Sequence, residues 1–296
     1  MEQKAPKARE GRRPNWFSSL FTFRFFSDEM PKISPHAVVD PKAEISEDVE
    51  VGPFCVIGPD VKIASGCRLL NSVTVLGQTK IGPDNIFFPN SVFGTAPQDK
   101  KYRGALTSLE IGKSNVFREA VTIHAGTEKG GGVTRVGDNN LMMVNSHVGH
   151  DAQVGSNCTF ANNVMIAGHC IVGDYVTMLG IVGIHHFVTI GEFAYLAGAS
   201  RIHHDVPPFV KIAGDDQIRG LNKVGLERAG FTPDDIESLD KACRSLFHHR
   251  RKTFAAAMAE FDMMNGINPK VKQLVEFLRR RNSGKHGRYQ EALRVK

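Results

Sequence analysis

From Val136 to Ile202 the chain reads VGDNNLMMVNSHVGHDAQVGSNCTFANNVMIAGHCIVGDYVTMLGIVGIHHFVTIGEFAYLAGASRI. Stepping through it by six lands on Val136, Met142, Val148, Val154, Phe160, Ile166, Val172, Met178, Ile184, Ile190, Leu196 and Ile202, without a miss. Four positions after each stands a mostly small residue, as at Ala152, Cys158, Val164, Cys170 and Ala194. An amphipathic helix repeats every 3.6 residues and a half-buried strand every 2, and neither period fits. A sustained period of six is the signature of a parallel β-helix built on hexapeptides. Three hexads close one triangular coil of eighteen residues, and coils stack at about the 4.8 Å strand spacing.

The same step begins at Ile33 and runs through Val39, Ile45, Val51, Ile57, Ile63, Leu69, Val75, Ile81 and Phe87. Two polar insertions interrupt it, one near 95–107 (TAPQDKKYRGALT) and a glycine-rich one near 126–134, with Ile111, Phe117 and Ile123 keeping step between them. Insertions into a solenoid become loops on one face, often the binding face. Pro207-Pro208 cannot donate to a ladder, and the repeat is expected to end there. Beyond it, Thr232-Pro233-Asp234-Asp235 is a helix start with a capping threonine and early acids. A second helix is expected over 253–264 and a third from Asn268-Pro269. The organisation is therefore a leader at 1–29, a β-helix at 30–208 and an α-helical domain with a basic tail at 209–296. The flat faces of a triangular prism can bury apolar surface against copies of themselves, so a homotrimer is the expected oligomer.

Net charge is +6 with a pI near 9.1, and the excess sits at the chain ends. The tail carries Arg279, Arg280, Arg281, Lys285, Arg288, Arg294 and Lys296. Such a balance suits acidic partners; the tail reads either as a solvated basic segment or as a dock for an acidic protein, and no nucleic acid is expected. No run of eighteen apolar residues exists, so no transmembrane segment is expected. The leader holds Arg9, Arg12, Arg13 and Arg24 with Ser18 and Ser19, a composition suited to a mitochondrial presequence. A basic tail on a cytoplasmic protein is the alternative. Cys55, Cys67, Cys158 and Cys170 fall on the small inward slot of their hexads and Cys243 lies in a helix, so buried thiols rather than disulfides or a nucleophile are expected.

His150, His169, His186 and His204 are separated by 19, 17 and 18 residues, about one coil each, and are expected to form a ladder along one edge beside His147 and His185. A histidine near neutrality is a suitable general base, and Asp151, next to His150, could hold its tautomer. Gly168 lies eighteen residues after His150, which places its backbone N–H one coil above as an oxyanion donor. Three readings stay open on the residues alone. A transferase would use His150 to deprotonate an acceptor. A zinc site between subunits would resemble the γ-type carbonic anhydrases, although His36 and His124 do not stand two coils before His147 and His150. A catalytically silent scaffold is the third.

The run Asn145-Ser146-His147-Val148-Gly149-His150-Asp151 resembles the catalytic segment of the bacterial UDP-N-acetylglucosamine acyltransferases of lipid A synthesis. Further segments agree: Gly52-Pro53-Phe54-Cys55, Gln98-Asp99-Lys100-Lys101-Tyr102, Val121-Thr122-Ile123-His124, Gly130-Gly131-Gly132, Ala161-Asn162-Asn163, Asp205-Val206-Pro207-Pro208 and the stretch from Gly225 to Phe231. The resemblance implies a left-handed parallel β-helix with a C-terminal α-helical domain. It also implies transfer of an (R)-3-hydroxyacyl chain from acyl carrier protein to the 3-hydroxyl of UDP-N-acetylglucosamine, with no cofactor and no metal. It casts His150 as base, Asp151 as its partner and Gly168 as oxyanion donor. Asp99, Lys101 and His147 become sugar and pantetheine contacts, with His169, His185 and His186 in the same cleft. Asn222 and Arg228 become nucleotide contacts, and Gly198 the position that sets acyl length. His186, Val224 and Ala229 depart from the family's usual glutamine, acidic and basic residues.

Overall fold

The computed structural model describes residues 32–248, 253–264 and 266–294. The leader, with its presequence reading, and Lys296 lie outside the described residues.

Short strands, mostly of two residues, stack into three sheets that form the faces of a prism. Face one has nine strands, from Val38–Val39 to Arg201–Ile202, and face two has eight, from Glu44–Ile45 to Thr189–Ile190. Face three has ten, beginning at Glu50–Val51. Pairing is parallel and in steps of eighteen, so on face one His147 lies beside Met165, Met165 beside Gly183 and Gly183 beside Arg201. At the first insertion Val92 pairs with Thr122, and at the second Thr122 pairs with His147. The insertions thus lengthen single coils while the stack keeps its register.

The stepping residues point inward, and Phe87, Phe117, Met142, Phe160 and Ile166 are fully buried. Some small slots hold asparagine instead, and these link up. Asn115 donates its N–H and its amide to Asn85 Oδ1 (both 2.9 Å), Asn140 N–H donates to Asn115 Oδ1 (2.8 Å), and Cys158 N–H to Asn140 Oδ1 (2.7 Å). Buried amides are tolerated because their polar atoms pair with one another or with backbone.

Each corner turns through a residue in the left-handed region. The first corner, between faces one and two, holds Asp151 (φ 61°), His169 (φ 62°) and Phe187 (φ 65°). The second, between faces two and three, holds Asn157, Tyr175 and Phe193; the third, between faces three and one, holds Asn145, Asn163, Ile181 and Ala199. Asparagine and aspartate take this conformation more readily than β-branched residues.

Stacking does not stop at Pro207-Pro208. Val210–Ala213 adds a further parallel strand beside Tyr195–Leu196, and Gln217–Leu221 closes face three in antiparallel sense. The prolines sit at a bend, while ladder bonds on either side survive as Gly191 N–H to Val206 O and Phe209 N–H to Glu192 O. The helical part therefore begins at α1 (Lys223–Arg228), followed by α2 (Pro233–Phe247), α3 (Phe254–Met263), α4 (Pro269–Ser283) and the short α5 (Tyr289–Ala292). Asn222, Thr232, Thr253 and Asn268 each cap a helix with a side-chain oxygen. Leu239, Leu246, Val271, Leu274 and Leu278 join the helices to the prism's core. No helix of the described residues is long and apolar enough to cross a membrane.

Candidate active site

The first corner gathers most of the chemistry. Adjacent side chains on a flat strand point to opposite faces, but the left-handed turn at Asp151 swings its carboxylate back to its neighbour. His150 Nδ1 lies 2.7 Å from Asp151 Oδ2. The His150 side chain keeps 15% of its surface exposed, whereas that of Asp151 has none. The second insertion clamps the carboxylate. Thr127 donates its N–H to Oδ1 and its hydroxyl to Oδ2, both at 2.7 Å, while Asp151 N–H donates to Thr134 Oγ1 at 2.8 Å. Gly130 closes over it so tightly that a Cβ there would stand 2.0 Å from Asp151 Cγ. Burial pushes this carboxyl's pKa up, yet His150, Thr127 and His169 together hold it below the ordinary value. A carboxylate at Nδ1 favours the tautomer that carries its proton there, which makes Nε2 the acceptor nitrogen of that tautomer.

Gly168 stands one coil above His150. A Cβ on it would lie 2.6 Å from Cε1 and 2.7 Å from Nε2, so the imidazole rests against bare backbone. Among the described residues no carbonyl accepts the Gly168 N–H.

The expected single ladder of histidines resolves into two columns. Steps of eighteen align His150, Gly168, His186 and His204, whereas His169 belongs to the neighbouring column of Asp151, His169 and Phe187. A separation of 19 rather than 18 moves a residue one place around the corner. His169 stacks flat on Phe187 (4.4 Å, 2° between planes) and meets the His150 ring edge-on at 4.9 Å. Its Nδ1 is 3.6 Å from Asp151 Oδ2.

His147 projects from face one, with Nδ1 2.8 Å from Thr122 Oγ1 and its ring 4.9 Å from that of His124. Burial lowers the pKa of both, and His124 falls to about 4. Burial also lowers His169, against the pull of Asp151. These rings are neutral at physiological pH and offer hydrogen bonds without charge. Beside them runs a groove of ≈ 410 Å³ lined by His147, Met165, Gly183, His185, Arg201 and His203. His186 is exposed next to His185, their rings 3.9 Å apart.

The charge of Asp99, on the first insertion, weakly favours the protonated form of His169. Lys101 N–H donates to Asp99 Oδ1 at 2.9 Å. Three expected residues are not brought together with His150 within one chain. Gly198 packs near Gly180 at the third corner. Asn222 caps α1 and donates to Phe193 O at the second corner, and Arg228 ends that helix.

His150, Asp151 and His169 place potential ligand atoms within 4.8 Å of one another. The carboxylate already accepts three hydrogen bonds, two from Thr127 and one from His150, so the donor set fits a hydrogen-bonded dyad better than a metal. Sequence reasoning missed Thr127 and Thr134, and gave His124 and Gly130 no role. The glycine run Gly130-Gly131-Gly132 was the available signal for a tight approach.

The hexapeptide model of bacterial transferases (six repeats) matches residues 133–168, the segment holding His147, His150, Asp151 and Gly168. A second family model, Udp N-acetylglucosamine O-acyltransferase, domain 2, matches 205–287. An acyl-[acyl-carrier-protein]–UDP-N-acetylglucosamine O-acyltransferase from Thermodesulfovibrio yellowstonii is 41% identical over 259 residues, 87% of this chain and 99% of the relative. The chain belongs to the UDP-N-acetylglucosamine O-acyltransferase family. Solved structures of UDP-N-acetylglucosamine acyltransferases are similar throughout. The one from Bacteroides fragilis has a TM-score of 0.79 at 35% identity, and the one from Arabidopsis 0.75 at 34%. Each match covers 83% of this chain and 96% of the solved one. These matches place this O-acyltransferase's prism in the left-handed class. The family's domain 2 model stops at residue 287, before the tail that follows Gly287.

Proposed function

We propose that the protein transfers an (R)-3-hydroxyacyl group from acyl carrier protein to the 3-hydroxyl of UDP-N-acetylglucosamine, the first step of lipid A-type synthesis, with His150 as general base. The observation that carries the mechanism is the His150 Nδ1–Asp151 hydrogen bond together with the seat of the imidazole on Gly168, whose N–H no carbonyl accepts among the described residues. Nε2 takes the proton of the sugar hydroxyl as the oxygen attacks the thioester carbon. Negative charge develops on the former carbonyl oxygen, where the Gly168 N–H stabilises it. The C–S bond then breaks, and the imidazolium returns its proton to the departing thiolate. Asp151 steadies that imidazolium without taking the proton. A positioned base contributes about 10²–10⁴-fold and an oxyanion donor about 10²–10³-fold. No protein nucleophile is needed, so transfer is direct.

His147, His169 and His186, their pKa lowered by burial, are partners for sugar hydroxyls and amides beside His185, with Asp99 and Lys101 contributed by the first insertion. Gly198, Asn222 and Arg228 join the site only when a second copy sets its other corners against this one. That separation supports a homotrimer with its clefts between subunits, and the basic tail suits an acidic carrier protein. Sedimentation equilibrium at three times the chain mass is the expected result.

The test of the chemistry is His150→Ala in a transfer assay with UDP-N-acetylglucosamine and hydroxyacyl carrier proteins. Turnover is expected to fall by about 10²–10⁴-fold with the fold intact, and near-normal turnover overturns the proposal. Residues 1–29 are the basis for placing the protein in the mitochondrion. A fluorescent fusion of that segment should enter the organelle and stay in the cytoplasm once its four arginines are replaced by glutamine.

A further inference from the structure

We infer that Arg294, at the tip of the C-terminal tail, binds a substrate phosphate at the His186–Phe187 end of the cleft. The inference rests on the proposed transferase reading and adds a binding residue to it.

The tail is fastened to the first corner. Asp205 stands eighteen residues after Phe187, at the same corner one coil higher. Its N–H donates to Gly287 O at 2.8 Å, and its Oδ2 accepts the N–H of Tyr289 at 2.8 Å. Arg288 donates to His203 O at 2.7 Å and pairs with Glu291. These bonds anchor α5, and the chain then runs down to set the Arg294 guanidinium 5.4 Å from the centre of the Phe187 ring.

Phe187 is the upper member of the column that holds Asp151 and His169. Two coil steps, about 10 Å at the strand spacing, separate its level from that of Asp151. An acceptor hydroxyl held at His150 therefore has a cation at the far end of a sugar-sized space.

Arg294 is uncommitted. Glu291, the nearest acid on the tail, belongs to Arg288, and among the described residues no carboxylate pairs with Arg294. Its charge nevertheless reaches both His169 and His186, where it opposes protonation. An exposed guanidinium on an aromatic face, beside an exposed imidazole, offers forked donors to phosphate oxygens. The segment lies beyond residue 287, where the matched family model ends.

Two phosphates could meet it: the diphosphate of the sugar nucleotide, or the phosphodiester of the carrier's prosthetic arm. Steady-state kinetics of R294A and R294K with both substrates varied separate them. Losing a charge-assisted contact should raise one KM about tenfold with kcat nearly unchanged, and lysine should recover part of the loss. A rise confined to UDP-N-acetylglucosamine identifies the diphosphate. A rise confined to the donor identifies the prosthetic arm, and it should vanish when an acyl-pantetheine lacking phosphate replaces the carrier. Unchanged KM values in R294A, or a loss confined to kcat, overturn the inference while leaving the transferase standing. Wild-type protein without any turnover overturns both.

Discussion

Gly168→Ala is the substitution whose effect the geometry specifies most closely. Its added methyl would stand 2.6 Å from His150 Cε1, 2.7 Å from Nε2 and 3.0 Å from Nδ1. Carbon contacts are comfortable at about 3.5–4.0 Å, so the ring must retreat by about 1 Å. Gly168 is not in the left-handed region, so alanine adds no backbone strain there and the whole disturbance falls on the imidazole. Retreat also strains the 2.7 Å bond to Asp151. An off-rotamer side chain costs about 0.5–1.5 kcal/mol, so the folded state should survive with Tm lowered by only a few degrees. A misplacement of about 1 Å at a reacting group costs about 10²-fold in rate. The expected result is kcat down by about that factor, with KM for both substrates little changed, in single-turnover and steady-state transfer assays. A G168A enzyme with wild-type kcat would falsify the claim that the ring works from its seat on Gly168.

Thr127→Val keeps the shape but removes a hydroxyl donor from a buried carboxylate, which should cost about 1–3 kcal/mol in urea unfolding and lower kcat through a misheld His150; unaltered stability would refute the clamp. His124 has its pKa lowered from 6.5 to about 4, so the unfolded chain protonates first as pH falls. Stability from this residue is complete above pH 6.5 and is lost as pH drops towards 4, at most about 3 kcal/mol. His124→Phe should therefore show a flatter stability–pH curve than wild type, and parallel curves would count against a buried neutral ring. Asn115→Ala removes one of the two donors to Asn85 Oδ1, whose bond from the residue 115 backbone N–H remains, and strands the buried Asn140 N–H, with an expected loss of about 1–3 kcal/mol. Burial pushes the Cys158, Cys170 and Cys243 thiols up to about 12, so a disulfide reagent at pH 8 should modify them only at the rate of unfolding.

The prism was legible because a six-residue period is imposed by geometry at every coil, and Val136 to Ile202 obeys it without exception. Helix starts at Thr232 and Asn268 were legible for the same local reason, a capping side chain ahead of a proline. Reading failed where the outcome depends on position around the corner. Spacings of 19 and 17 looked like one ladder of histidines, yet a shift of one residue sends His169 into the column of Asp151 and Phe187. Pro207-Pro208 looked like a terminator, but a bend needs no donor there and the ladder resumes at Val210. Thr127 had no signal at all, since its bond to Asp151 depends on how a seven-residue excess in one coil folds back. The separation of Asn222, Arg228 and Gly198 from His150 is likewise invisible in a string, because it concerns which edge of the prism each one occupies.

Because strands pair strictly with the turns immediately above and below, the prism's height is independent of its working edge. Below the first insertion, from Ile33 to Phe87, a whole turn of eighteen residues could be excised or duplicated, and every side chain around His150 would keep its neighbours. Removing a single residue from the same region would rotate all that precedes it by one place. Lineages of such proteins should therefore differ in length by complete turns, while the reactive edge stays at a constant distance from the C-terminal helices.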